Sequence, residues 1–389
     1  MTTVLFYFDH QIKPGNGGTE RVSDILAHAF QRHGMTIYYC ARYNDGFSSD
    51  IETLFLPNPD FLLSGENIDF LETEIEKKQV DYIINQASNG DDVYLFNHQS
   101  LNIAAKIISV LHFSVYEGIN YFKELQLINF GWDKPMLWLP NLIRVCKRPY
   151  NKYKAFKGKS ARFSFLYNYS DAVVVLSHSY VDDFRSVAKL SETSKLHVVH
   201  NPLTYLKTES CPKENMLLFV GRLSFQEKRL DRLIYIWNSL YRKYPEWTLN
   251  IIGDGHDRLR LEALVNRLGM ERVFFLGAQN PQKYYEKAKL FCMTSTHEGL
   301  PMVLLEAMQN QVVPLAFSSF GAALEIISDG VNGYLIEPFS LDNYCMRLEQ
   351  LMDNSILLNQ MANRTVDNLE KFNIENICDC WLRLLERIK

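Results

Sequence analysis

Short apolar runs rich in valine, isoleucine, leucine and phenylalanine alternate with stretches of helical periodicity along this 389-residue chain, and the alternation runs through twice. A parallel strand buried on both faces reads as a continuous apolar run, and the helix covering it as a 3.6-residue pattern, so the order predicts parallel βαβ units. In the first half the strands are expected at Val4–Phe8, Thr36–Cys40, Val80–Asn85, Lys106–Leu111, Asp171–Leu176 and Leu196–Val199. A helix is expected over Arg21–His33, where Val22, Ile25, Leu26, Ala29 and Phe30 share a face, and another from Val93 to Ala105. The second half repeats the plan, with strands at Met216–Val220, Thr248–Gly253, Val273–Leu276, Leu290–Met293, Val312–Ala316 and Tyr334–Ile336. Its helices are expected at Leu230–Tyr244, Leu259–Leu268, Gln282–Ala288 and Pro301–Gln309, with a last one at Ile374–Ile388.

Between the halves, His200–Pro212 holds two prolines among polar residues and reads as a linker, with the boundary at Thr204. The expected organisation is therefore a Rossmann-like domain over 1–204 on the acceptor side and another over 205–372 on the donor side. The helix of 373–389 is expected to pack back across both. Open parallel sheets bind ligands beyond the carboxyl ends of their strands, and two such sheets facing each other make a cleft.

Composition narrows the class. With 47% hydrophobic and 22% charged residues, the chain is that of a folded globular protein. No apolar run reaches the roughly 18 residues of a membrane span, and the opening MTTVLFYFDHQ reads as a buried strand rather than an export signal. The seven cysteines are scattered without paired metal spacing, which fits a reducing, cytoplasmic compartment. A net charge of −4 argues against general nucleic-acid binding.

The sharpest local pattern is THEGLPMVLLEAM, with Glu298 before a helix start and Glu306 inside the helix. Pro301 suits a first helical turn, and the backbone of Gly299, Leu300, Pro301, Met302 and Val303 then offers unpaired N–H groups and a helix dipole to an anion such as a diphosphate. Glu298 can accept hydrogen bonds from sugar hydroxyls, and Glu306 from the vicinal hydroxyls of a ribose. The same residues also fit a capped amphipathic helix with two incidental acids. A second pattern, FVGRL followed by Lys228, ends a strand at Gly221 and supplies Arg222 and Lys228 as fixed cations for phosphate oxygens. A third, KPGNGGTE, lets main chain at Gly17 and Gly18 approach phosphates, while its spacing fails the dinucleotide fingerprint. His112 ends a strand and reads equally as an active-site imidazole or a satisfied structural one. Gly253 and Gly255 read equally as a nucleotide neighbourhood or a plain turn.

From Lys134 to Ser170 there are nine lysines and arginines and no acid, interleaved with Trp138, Leu139, Leu142, Ile143, Val145, Tyr150, Phe156 and Phe163. This mixture suits an anionic membrane surface, a basic solvated face, or a phosphorylated acceptor.

In combination these motifs resemble the retaining glycosyltransferases of the GT-B fold, in the group 1 family of nucleotide-sugar enzymes. The match is strongest from Met216 to Gly333, through FVGRL…K, IIGDG, FLG, STHEGLPMVLLEAM and DGVNGYL. The resemblance implies two Rossmann-like domains across a cleft and a UDP- or GDP-linked sugar as donor. It implies that Arg222 and Lys228 hold the diphosphate near Gly17 and Gly18, that Glu298 contacts the transferred sugar, and that Glu306 binds the ribose. His112 is similar to the family's active-site histidine. No metal is required, because cations and the helix terminus can carry the leaving-group charge, and the acceptor is expected to be a glycan or lipid-linked saccharide. Two other functions fit the scaffold: a donor-binding, catalytically silent subunit of a heteromeric transferase, and a sugar-nucleotide epimerase.

Overall fold

The computed structural model describes residues 2–88, 90–119, 138–204 and 211–389. These form two compact units, the first built from residues up to 119, from 150 to 204 and from 371 to 389. The expected linker falls partly outside the described residues, at 205–210.

In the first unit β1 (Thr3–Phe8), α1 (Gly18–Arg32), β2 (Thr36–Ala41), β3 (Thr53–Phe55), α2 (Gly65–Lys77), β4 (Tyr82–Asn85) and β5 (Lys106–Leu111) follow in order. They are succeeded by α3 (Trp138–Tyr169), which belongs to this unit from Tyr150 onward, and by β6 (Ala172–Val175), α4 (Ser179–Ala188) and β7 (Leu196–Val198). The strands pair in parallel in the order β3-β2-β1-β4-β5-β6-β7. Successive residues of a strand point to opposite faces, so full burial of Val4, Leu5, Phe6 and Tyr7 means that both faces of β1 are covered. That is why this strand is apolar throughout rather than alternating.

The second unit runs β8 (Glu214–Val220), α5 (Leu230–Leu240), β9 (Thr248–Ile252), α6 (Arg258–Arg267), β10 (Val273–Phe275), α7 (Gln282–Lys287), β11 (Ala288–Met293) and α8 (Met302–Gln309). It continues with β12 (Val313–Phe317), α9 (Gly321–Ile326), β13 (Tyr334–Ile336), α10 (Leu341–Asp353) and α11 (Ser355–Arg364). Its sheet is parallel in the order β10-β9-β8-β11-β12-β13, over a core centred on the fully buried Trp237.

Both sheets reverse direction once. From β8 the chain winds outward through β9 and β10, then returns to place β11 on the other side of β8. The first sheet does the same between β1 and β4. Ligand crevices in open parallel sheets lie at the carboxyl ends of the strands flanking such a reversal. In the second unit this is the point where Gly221 follows β8 and the segment leading to Glu298 follows β11.

The last helix, α12 (Ile374–Ile388), belongs to the first unit. Asn373 caps it by accepting from the Asn376 N–H at 2.7 Å. Its Trp381 meets Phe30 of α1 edge-on, with ring centroids 6.4 Å apart, and Tyr82 of β4 donates its hydroxyl to the Leu385 carbonyl at 2.9 Å.

The helix expected over Val93–Ala105 is not formed. A single 3-10 turn at Asp91–Tyr94 is followed by turns. Asn97 explains this: its amide donates to the carbonyls of Val93 and Tyr94, while its side-chain oxygen accepts from the N–H groups of Gln99 and Ser100. A side chain that bonds the backbone on both sides of itself competes with the helical pattern.

Candidate functional site

Two loops at the carboxyl ends of β8 and β9 pack backbone against backbone. Gly221 N–H donates to the Ile252 carbonyl at 3.0 Å and Leu223 N–H to the Asp254 carbonyl at 2.9 Å. Gly253 has φ +132°, and a Cβ there would lie 2.0 Å from the Gly221 carbonyl oxygen; a Cβ on Gly255 would lie 2.4 Å from that of Leu223. Close approach of main chain to main chain is therefore what excludes side chains at Gly253 and Gly255. The structure gives these glycines a packing role without recourse to a nucleotide.

The chain after Gly221 folds tightly and is fastened to the segment after β11. Ser224 Oγ accepts from the Gln226 and Glu227 N–H groups, and Arg229, in the left-handed region at φ 48°, clamps Asp231 through two 2.9 Å bonds. Thr296 N–H donates to the Glu227 carbonyl at 2.8 Å. Thr294 Oγ1 donates to the carbonyls of Lys228 and Arg229, and Arg232 donates to the Thr294 carbonyl at 3.2 Å. These bonds fix the backbone on either side of Lys228 against the segment that carries Glu298.

The result is an ion pair. Lys228 Nζ lies 2.6 Å from Glu298 Oε1 and 2.9 Å from Oε2, with the two side chains only 19% and 12% exposed. Partial removal from water strengthens such a pair well beyond an exposed one. Glu298 leads through Gly299 and Leu300 to Pro301, the residue before α8, so the first-turn N–H groups at Met302 and Val303 have no partner one turn earlier in the helix. Arg222 is exposed and makes no ion pair among the described residues. The arrangement offers one open cation, one cation held by a carboxylate, and a helix amino terminus, a set of charges suited to an anion.

Glu306 lies deeper in α8 and is 2% exposed. It accepts a 2.9 Å hydrogen bond at Oε2 from the hydroxyl of the fully buried Tyr285 on α7. Tyr285 carries no sequence signal, because its partner stands 21 residues away in an unrelated element. The fastening residues Thr294 and Glu227 likewise carry no sequence signal, whereas Thr296 opens the THEGLP motif.

Gly17, Gly18 and His112 lie in the first unit. Gly17 is the residue before α1 and has an extended φ of −167°, which any residue adopts. A Cβ there would, however, meet Glu20 Oε2 at 2.5 Å, because the Glu20 carboxylate folds back over the amino end of α1. Gly18 opens the helix. His112 follows β5, is buried, and meets the side-chain oxygen of Gln86 with its Nε2. With the Gln86 oxygen turned toward Nε2, this contact is made by the Nε2–H tautomer. Nδ1 has no hydrogen-bond partner among the described residues. Burial pushes the His112 pKa down to about 4, so the ring is neutral at pH 7.

Residues 207–367 match the family model described as Glycosyl transferases group 1. The stretch covers β8 to α11 and with them Arg222, Lys228, Glu298 and Glu306. The amylovoran biosynthesis glycosyltransferase AmsD of Erwinia amylovora is 26% identical over 81% of this chain and 93% of its own length. An uncharacterized glycosyltransferase of Haemophilus influenzae is 32% identical over 50% of this chain, and the match spans only 56% of that protein. Among solved structures, S. aureus TarM in complex with Fondaparinux, alpha-GlcNAc-glycerol and UDP superposes with a TM-score of 0.75 at 15% identity, covering 99% of this chain and 100% of that one. At that identity the likeness concerns the fold, and the fold is GT-B: two parallel-sheet α/β domains of seven and six strands.

Proposed function

We propose that the chain is a retaining glycosyltransferase that moves a sugar from a nucleotide-sugar donor to a hydroxyl of a glycan or lipid-linked acceptor, in cell-surface polysaccharide or glycolipid biosynthesis. The observation that carries this reading is the Lys228–Glu298 pair ahead of the α8 amino terminus, inside the stretch that matches the group 1 family. Arg222, Lys228 and the first-turn N–H groups of α8 bind the diphosphate and stabilise its charge as it leaves. Binding of the donor draws Lys228 toward phosphate and releases Glu298 to the hydroxyls of the transferred sugar. Glu306 takes the ribose. The positive charge needed by the leaving group is supplied by side chains and backbone, so this reading calls for no metal ion.

In a front-face transfer the acceptor oxygen bonds to the anomeric carbon on the side from which the diphosphate departs. The bond from carbon to the phosphate oxygen breaks, and the departing oxygen takes the acceptor proton. Configuration is thereby kept. The UDP and alpha-GlcNAc-glycerol present in the TarM complex are in keeping with a UDP-sugar donor and an α-linked glycoside here. His112, neutral at pH 7, is the imidazole that this reading assigns to the active site.

The acceptor side of the reading places the protein against an anionic membrane at the cytoplasmic face. Leu139, Leu142, Ile143, Tyr150 and Tyr153 of α3 are all exposed, and helical spacing sets them on one stripe together with Cys146. Lys147 and Lys154 flank the stripe, and Arg148 and Lys152 lie across the helix from it; all four are exposed. An apolar stripe edged with cations suits a helix lying in the interface of anionic lipids. The basic stretch begins at Lys134, and its residues 134–137 lie outside the described residues. No helix among the described residues is long and apolar enough to cross a membrane.

The test of the enzymatic reading is transfer of label from a panel of UDP- and GDP-sugars to lipid-linked saccharides, with the anomeric configuration of the product assigned by NMR. Wild-type protein is expected to transfer with retention and Glu298→Ala to be inactive. Inversion, or full activity in Glu298→Ala, overturns the mechanism. Binding of nucleotide without transfer would mark a silent subunit, and conversion of donor without acceptor an epimerase.

A further inference from the structure

We propose that Tyr285 is a positioning residue for Glu306: its hydroxyl fixes the plane of the carboxylate and so gives the site its selectivity for a ribose carrying both hydroxyls. The inference rests on the reading of Glu306 as the ribose ligand.

A glutamate reaching from a helix has three rotatable bonds, and a carboxylate that must accept from two neighbouring hydroxyls loses that freedom on binding unless it is held beforehand. Here it is held. Tyr285 donates to Oε2 at 2.9 Å, with Tyr285 fully buried and Glu306 2% exposed. The position of the hydroxyl is in turn set by a lattice of bonds between α7 and the end of α8. Lys213 Nζ donates to the Tyr285 carbonyl at 3.0 Å and to the Asn310 carbonyl at 2.6 Å. Asn310 Nδ2 donates to the Glu306 carbonyl at 2.9 Å, and Asn310 Oδ1 accepts from Gln282 of α7 at 3.1 Å. One lysine and one asparagine thus tie together the backbone on which Tyr285 and Glu306 stand. A phenol donating to a buried carboxylate also makes that carboxylate's remaining acceptor directions fixed in space, which is what discrimination by hydroxyl geometry needs.

The experiment is calorimetric titration of the full chain with UDP and GDP, each beside its 2′,3′-dideoxy counterpart, using wild type, Tyr285→Phe and Glu306→Gln. Thermal melting of each protein establishes that it is folded. Wild type is expected to prefer the ribonucleotide, and Tyr285→Phe to lose about tenfold in affinity for it while binding the dideoxy form as before. In steady-state transfer the loss is expected in KM for the donor rather than in kcat. Preference for the ribonucleotide that survives unchanged in Tyr285→Phe removes Tyr285 from this role and leaves Glu306 in place. An equal loss for both nucleotides assigns Tyr285 to structure alone and overturns the proposal. A wild type that binds ribo and dideoxy forms equally, or neither nucleotide, removes Glu306 as ribose ligand and the inference with it.

Discussion

Lys228 places its ammonium within 2.9 Å of both carboxylate oxygens of Glu298, although the two residues stand 70 positions apart in sequence. A carboxylate is a fair imitation of one edge of a phosphate, in charge and in oxygen spacing. In the reading given above, Glu298 occupies the seat of the leaving group until the donor arrives. The pair then has two functions: it keeps a half-buried cation neutralised, and it holds the sugar-contacting acid in reserve.

That competition has a measurable sign. Glu298→Gln removes the competing charge while keeping shape, so nucleoside diphosphate should bind about three- to tenfold more tightly even as transfer is lost. Lys228→Ala should weaken the same binding by roughly tenfold or more and leave Glu298 without its cation. Titration calorimetry at two salt concentrations checks both, and weaker binding in Glu298→Gln would contradict the displacement.

Gly253 makes a prediction about stability alone. A methyl group there meets the Gly221 carbonyl at 2.0 Å on a backbone already at φ +132°, so the loops must part. Gly253→Ala is expected to destabilise the second unit by about 2 to 4 kcal/mol, seen as a lower denaturation midpoint. Gly15→Ala, at a position with open space around it, should leave the midpoint within roughly 0.5 kcal/mol of wild type.

Acid should act through His112. Its folded pKa of about 4 lies below the 6.5 of an unperturbed histidine, so between these values the unfolded chain binds the proton and the folded chain does not. Stability from this group is complete above pH 6.5 and falls as pH drops toward 4. At pH 5 the loss is on the order of 2 kcal/mol, and His112→Gln should lose correspondingly less between pH 7.5 and pH 5 in chemical denaturation.

The exposed stripe of α3 predicts membrane partition. Sedimentation with vesicles containing anionic lipid should deplete wild-type protein from solution, and vesicles of zwitterionic lipid should do so much less. Leu142→Asp with Tyr150→Asp should abolish the depletion without changing the melting temperature, since both residues are exposed. A double variant that still sediments would dissociate the stripe from membrane binding.

Much of the fold was readable because parallel strands are buried on both faces. Lys106–Leu111 and Tyr334–Ile336 stand where their apolar runs place them, and Ile374–Ile388 forms a helix over its whole expected length. The failures have particular causes. Over Val93–Ala105 the apolar spacing is helical, but Asn97 satisfies the backbone by itself and ends the helix after one turn. The long α3 was read for its charge and not its shape, because its apolar stripe faces water rather than a core and Pro149 interrupts it. At the site, Glu298 and Lys228 carried motifs that could be named. Tyr285 and Gln86 carried none, since each acquires meaning only from the partner that the fold brings to it.

The path of the chain also orders its birth. The helix α12 follows the whole second unit in sequence, yet its Trp381 is buried against Phe30 and its Leu385 carbonyl accepts from the Tyr82 hydroxyl. During synthesis the second unit therefore emerges whole while the sheet made first still exposes the apolar flank that α12 will cover. A chain lacking α12 would keep a sound second unit and an unfinished first one, although the missing helix follows the second unit in sequence.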